Sequence, residues 1–208
     1  EVSWNRCYEP WIIKRDKSLK IHLNKKIKVN SFNGSLLWEP WEILKNDGTP
    51  YKIFTPFYKK GCLLGPSPRV PKSEKINFYN HNFRVTNVSD LGLLENKQWE
   101  NKVLSQWKVG EDSSIEIMKS FFQNGVQNYS EGRNFPNKKN VSRLSPYLHW
   151  GQISPNSIWY EVNSLKNLKN DDREVFKSEL GWREFAYYLL YHFPFMQKKN
   201  LKSNFDNF

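Results

Sequence analysis

Cysteine is nearly absent: the 208 residues hold two, Cys7 and Cys62, and neither sits in a CxxC pair or a Cys/His cluster. A disulfide framework and a structural zinc site are therefore unsignalled, and reduced thiols in a cytoplasmic protein are the expectation. Long apolar runs are also missing. No stretch reaches the length needed to span a bilayer, and residues 1–20 are too polar for a secretory signal, so no membrane partner is expected. His22, His81, His149 and His192 are scattered, with no two at metal-ligand spacing. No GxSxG elbow, GxGxxG loop or Walker motif occurs, so hydrolase, metalloenzyme, Rossmann and P-loop nucleotide chemistry have no support within this span.

Acids are the other scarce class. Against 21 Asp and Glu stand 32 Lys and Arg, a net charge of +11, which is the electrostatic footprint expected of a nucleic-acid partner. Aromatics are plentiful at 16%, with 9 Trp, 10 Tyr and 14 Phe. Such a chain buries a real core and is not disordered. It starts at Glu1 without a Met and stops just after a helical pattern, so a longer protein cut at both ends is expected.

Along the chain, Asp16 or Ser18 can cap a first helix that turns Leu19 and Leu23 inward, and Lys26-Ile-Lys-Val-Asn30 alternates as a short strand does. Turns follow at Asn33-Gly34 and at Asn46 to Pro50. Tyr51 to Lys60 is aromatic and basic without a clear period. From Gly61 to about Asp90 helical periodicity lapses around Pro66, Pro68, Pro71 and the polar Asn80-His-Asn82, which reads as a linker. Beyond it the pattern turns helical. Asp112 caps a stripe of Ile115, Met118, Phe121, Phe122, Val126 and Tyr129. Ser154-Pro155 starts the next helix, bearing Ile158, Trp159 and Val162. A long helix capped by Asp171 or Asp172 runs to about His192, and no comparable strand pattern appears after residue 100.

Two stretches could carry chemistry. In the long helix, at about 100° per residue, Phe176, Glu179, Trp182, Arg183, Ala186 and Leu190 share a face. Aromatics mixed with an acid and a base suit a planar polar ligand or a nucleobase; the i, i+4 spacing of Glu179 and Arg183 equally suits a surface ion pair. The second stretch, from Gly132 to Tyr160, has no acid at all, while Arg133, Lys138, Lys139 and Arg143 supply positive charge and Ser142 and Ser145 supply hydroxyls. A pyrophosphate fits such a segment, as does a plain solvated loop.

Six stretches, in order over nearly the whole chain, resemble the DNA photolyase and cryptochrome family, nearest to the class I cyclobutane pyrimidine dimer photolyases. They are Asn5 to Pro10 with Arg15-Asp16, Tyr51 to Phe57, Trp107 to Glu111, Tyr129 to Pro136, Ser142 to Leu148 with Gly151 and Ser154-Pro155, and Glu179 to Phe185. The resemblance implies residues 1–60 as the end of an α/β, Rossmann-like antenna domain and 61–94 as a linker. Residues 95–208 would form the first half of an all-α FAD-binding domain, the whole being mostly helical. It implies a deoxyribodipyrimidine photo-lyase in which blue light drives an electron from reduced FAD to a dimer flipped out of UV-damaged DNA. FAD contacts would be Tyr129, Val141, Ser142, Arg143, Leu144, Ser145 and Phe176. Arg133 would meet DNA phosphate, and Glu179, Trp182 and Arg183 would line the cavity for the damaged bases, Glu179 donating a hydrogen bond in catalysis.

Departures from the family pattern are Val141 where Thr is frequent, Phe176 where Trp is common, and Trp11-Ile12 where folate-binding members carry Asn-Glu. A second antenna chromophore is therefore of unknown identity, with folate disfavoured. A monomer is expected. The competing functions are a cryptochrome photoreceptor that signals without repair, an enzyme for (6-4) products, and a flavin-free basic helical domain that binds nucleic acid.

Overall fold

The computed structural model describes residues 1–72, 74–75, 77, 86–93 and 98–206. Its first layer is a β-α-β unit. Strands β1 (Val2–Asn5) and β2 (Val29–Phe32) pair in parallel, with Val2 opposite Val29 and Asn5 opposite Phe32. Helix α1 (Pro10–Leu23) supplies the crossover that parallel strands need. The helix starts at Pro10 and not at Asp16 or Ser18, because Pro at the first turn has its φ preset and lacks only an N–H that would be unpaired anyway. Asp16 instead pairs with Arg15 at 2.8 Å. Leu19, expected inward, is exposed, Leu23 is half-buried, and no α1 residue is fully buried. The second strand also lies later than the alternation of 26–30 suggested. The amides of Lys26 and Ile27 donate back to Leu23 O at 2.8 and 2.9 Å, closing the end of α1, so the ladder begins only at Val29.

Residues 36–62 join this unit to the helices. The Asn33 side chain accepts from the amides of Ser35 and Leu36, making the turn expected there. Helix α2 (Phe54–Pro56) runs straight into a π-helical turn, Phe57–Cys62, where Leu63 N donates to Tyr58 O at 2.9 Å. Gly61 lies against Ile43, where a Cβ would come within 2.6 Å of Ile43 Cγ2. The stretch with no clear period in sequence is thus a buried wedge: Phe57, Tyr58 and Cys62 belong to the same core as the later helices. The boundary expected at residue 60 falls inside that core.

After this wedge the chain is strapped to the segment before it, where Trp38 Nε1 donates to Pro66 O (2.7 Å), and to the later helices, where Asn156 Nδ2 donates to Arg69 O (2.7 Å) and the Tyr160 hydroxyl to Pro68 O. The Asn80-His-Asn82 portion of the expected linker lies outside the described residues. Helices α3 (Gln98–Leu104), α4 (Glu111–Asn124), α5 (Tyr129–Gly132), α6 (Ser145–His149), α7 (Pro155–Ser164) and α8 (Asn170–His192) follow. Among the described residues no strand occurs after Phe32.

The expected α4 stripe is buried from Met118 to Tyr129, while Ile115 is exposed. Burying each large apolar side chain of this stripe contributes about 1.5–3 kcal/mol before entropy costs. Helix α4 begins without the expected Asp112 cap; its N-cap is Gly110 at φ 124, a conformation that favours glycine. At α7 the Ser154 hydroxyl accepts from Asn156 N, as Ser-Pro predicts. At α8 neither Asp171 nor Asp172 caps the helix; Lys169 is the N-cap, and the Asp172 carboxylate is turned to a neighbouring segment.

Candidate functional site

Helix α8 buries one side and leaves another partly open. Phe176, Leu180, Gly181, Glu184, Phe185 and Tyr188 face the core, so the chain's longest helix is held by aromatic contacts with α2, the π turn and α4. Phe176, at the edge of that side, meets Tyr129 edge-on at 5.3 Å and Phe121 at 5.4 Å. Around this edge opens a cavity of about 410 Å³ whose wall includes Tyr129, Ser142, Leu144, Ser145, Phe176, Glu179 and Arg183. Its size lies in the range of ligand pockets.

Most of the residues singled out in sequence thus converge on one place from three separate segments. Arg133 forms an ion pair with Glu179 at the cavity edge, and its guanidinium lies over the Tyr129 ring at 5.4 Å from the centroid. The hydrogen bond to Glu179 raises the Arg133 pKa further. Burial raises that of the Tyr129 hydroxyl, against the pull of Arg133, so it stays protonated and can donate. Arg183 donates to Ser35 O at 2.7 Å and to Glu184 Oε1 at 3.2 Å, and its plane lies 5.0 Å over Tyr187. It therefore borders the cavity while tying α8 to the segment after β2.

Three expected residues stand apart. Trp182 is stacked on Phe54, with ring centroids 3.7 Å apart and planes 10° from parallel, and is 49% exposed. At 100° per residue it lies on the shared face at the side nearer α2, and the Phe54 ring holds it there. Arg143 adopts a left-handed backbone (φ 55), and its guanidinium lies 4.2 Å over Trp107. With exposed Val141 it lines a neighbouring hollow of about 260 Å³ beside Phe121 and Lys139, and Ser142 borders both spaces. Asn140 keeps this loop close, donating to Gly125 O and Gln127 O at 2.7 and 2.9 Å.

Two buried carboxylates were not expected: Glu184 was not singled out in sequence, and Asp172 was expected only as a helix cap. Glu184 is buried and accepts from the amides of Leu37 and Trp38 at 2.8 and 3.3 Å. Burial pushes its pKa up to about 8, against Arg183 and those amides. Asp172 is buried beneath Asn128 and Ser130. No sequence signal marked either as buried, since an acid on an amphipathic helix is ordinarily solvated. A further hollow of about 220 Å³ lies between β1, α1 and the end of α8, walled by Trp4, Trp41 and Tyr191 with Arg6, Lys17 and Lys20 at hand. Trp11 is exposed.

Comparison with known proteins places the chain in a family. The DNA photolyase family model matches residues 1–73. A deoxyribodipyrimidine photo-lyase of Agrobacterium fabrum is 35% identical over 225 residues, covering all of this chain and 44% of its own length. Cryptochrome-2 of Arabidopsis thaliana is 28% identical over 98% of this chain and 36% of its own. The crystal structure of a bacterial class III photolyase from Agrobacterium tumefaciens superposes with a TM-score of 0.90 at 35% identity, over all of this chain and 44% of that one. The chain therefore spans less than half the length of these relatives. On the 35% identity along the whole chain and the shared fold, the chain belongs to the DNA photolyase and cryptochrome family.

Proposed function

We propose that the protein is a light-driven, FAD-dependent enzyme that repairs cyclobutane pyrimidine dimers in DNA. The observation that carries this reading is the position of Glu179. Its carboxyl sits at the edge of the cavity beside Tyr129 and next to a basic residue, where a flipped base can meet it. The donor set suits a flavin dinucleotide: Tyr129, Ser142 and Ser145 hydroxyls with an aromatic Phe176 wall in a field free of acids from Gly132 to Tyr160. The chemistry supplied by bound, reduced FAD is blue-light-driven electron transfer to the dimer.

The chain's own residues bind and orient. Lys and Arg in excess hold the duplex by its backbone, and the weak stacking of a damaged pair lowers the cost of extrusion. Arg133 changes partner in this scheme: it leaves Glu179 for a DNA phosphate, and the freed carboxyl turns to the pyrimidine edge. A hydrogen bond from that carboxyl to a pyrimidine carbonyl is the role proposed for Glu179. Trp182, on its Phe54 support, offers a ring face to a base. The Ser142 and Ser145 hydroxyls would hold the flavin's phosphates, with Arg143 and Val141 on the neighbouring hollow. For a second chromophore the place proposed is the hollow walled by Trp4, Trp41 and Tyr191, where aromatic faces can stack and Lys17 and Lys20 stand beside Asp16 and an Arg6 already paired with Glu39.

A cryptochrome-type photoreceptor is the second reading, favoured by the similarity to Cryptochrome-2 along 98% of the chain. Blue-light-dependent loss of thymine dimers from a defined oligonucleotide, with the full product of the gene and bound flavin confirmed, separates the two. Repair in light and not in darkness is expected. Bound flavin without repair overturns the proposal in favour of signalling or of (6-4) repair.

A further inference from the structure

We propose that Asp172 is a positioning residue whose carboxylate locks the Asn128–Ser130 turn, and with it Tyr129 and Arg133, against α8. The residue is 1% exposed, and among the described residues its side-chain hydrogen bonds go to one short segment. Oδ2 accepts from Asn128 N at 2.9 Å; Oδ1 accepts from Ser130 N and from the Ser130 hydroxyl, both at 2.9 Å. The target segment needs such a lock. Asn128 is left-handed (φ 59), a conformation that asparagine tolerates better than most residues but that still costs more than in glycine. Helix α5 is only four residues long and its N-cap supplies no side-chain hydrogen bond, so it has little stability of its own. Asp172 satisfies two amides at that helix start from a helix that is itself anchored in the core.

Two residues of the candidate site ride on this turn. Tyr129 lies between the two bonded amides in sequence and reaches the cavity beside Phe176. Arg133 follows α5, its N–H donating to Tyr129 O at 3.2 Å, and meets Glu179 one helical stretch along α8 from Asp172. One helix thus holds both ends of the arrangement: Asp172 fixes where α5 starts, and Glu179 pairs with what comes off its end. Burial opposes ionisation of Asp172, but the bonds from Ser130 and Asn128, with Lys169 nearby, hold its carboxyl below the usual range. It therefore stays an acceptor at neutral pH.

The consequence for flavin rests on the proposed function, whereas the lock itself does not. The test uses the full product of the gene. Asp172→Asn keeps the side chain's size but brings an N–H₂ group among three donors, so a repulsive contact replaces a hydrogen bond. Roughly tenfold faster hydrogen exchange at the Asn128 and Ser130 amides is expected, with a flavin dissociation constant raised roughly tenfold. The visible dichroism of bound flavin is expected to change as Tyr129 shifts. Ser130→Ala removes the hydroxyl bond alone and is expected to move each readout the same way by roughly threefold, which serves should the first variant not fold. Parental exchange at both amides, or parental flavin affinity and dichroism despite faster exchange, overturns the positioning role. A parent protein that takes up no flavin overturns the functional reading instead. The lock is then decided by exchange alone: acceleration confined to residues 128–133 upholds it, and unchanged rates overturn it.

Discussion

Replacing Glu184 with Gln is expected to change how stability depends on pH, and the sign follows from burial. The carboxyl lies wholly inside the protein, where desolvation pushes its pKa from 4.5 up to about 8 despite Arg183 and the amides of Trp38 and Leu37. The folded state therefore holds this proton more tightly than the unfolded chain. Its contribution is fully present below about pH 4.5 and is lost as pH rises through about 8. In that window the slope is at most about 1.4 kcal/mol per pH unit, or about 5 kcal/mol over the whole interval as an upper bound. Glutamine cannot titrate, yet its amide oxygen can still accept from Leu37 and Trp38. Urea unfolding of parent and E184Q, followed by tryptophan fluorescence at fixed ionic strength from about pH 5 to about pH 8, isolates the term as a difference between two curves. The parent is expected to lose stability relative to E184Q with rising pH. A parent curve that runs parallel to the variant's, or gains on it, refutes the assignment of a raised pKa and with it a proton-holding role at this junction.

Two further outcomes follow from packing. Gly181→Ala is expected to lower Tm, because the new Cβ would stand 2.6 Å from Tyr58 Cδ2 in a buried contact. The overpacking cost of about 1–3 kcal/mol exceeds the roughly 1 kcal/mol that Ala gains over Gly in a helix; a calorimetric Tm equal to or above the parent's contradicts this. Trp182→Ala is expected to weaken binding to dimer-containing DNA by about 1–3 kcal/mol, a lost stacking surface. Equal affinity in a titration against a thymine-dimer oligonucleotide would remove Trp182 from the lesion site.

How far the site was legible depended on distance along the chain. Local signals were read well where one residue type satisfies one backbone requirement, as at Ser154-Pro155 and the Asn33 turn. They misled where two such signals competed: Pro10 outweighed Asp16 as a helix start, and the glycine at 110 did the work expected of Asp112. The periodic stripe from Met118 to Tyr129 correctly marked a buried face, since a 3.6-residue period fixes which side chains share a side.

Composition, period and the ordered motifs by themselves determined the chain's class: basic, aromatic, mostly helical after residue 100, and of the photolyase family. The resemblance also named seven residues that line the cavity, among them Tyr129, Ser142, Ser145, Phe176 and Glu179. Only the tertiary structure decided which of those residues meet. Glu179 and Trp182 lie within one turn of each other, yet one borders the cavity with Arg133 while the other is held against Phe54, a partner from far earlier in the chain. Asp172 and Glu184 look in sequence like ordinary surface acids of a long helix. They are buried because amides of Asn128, Ser130, Leu37 and Trp38 reach them from other segments. A helical period fixes the direction of a side chain, whereas its charge state and its task depend on what the rest of the fold brings opposite it.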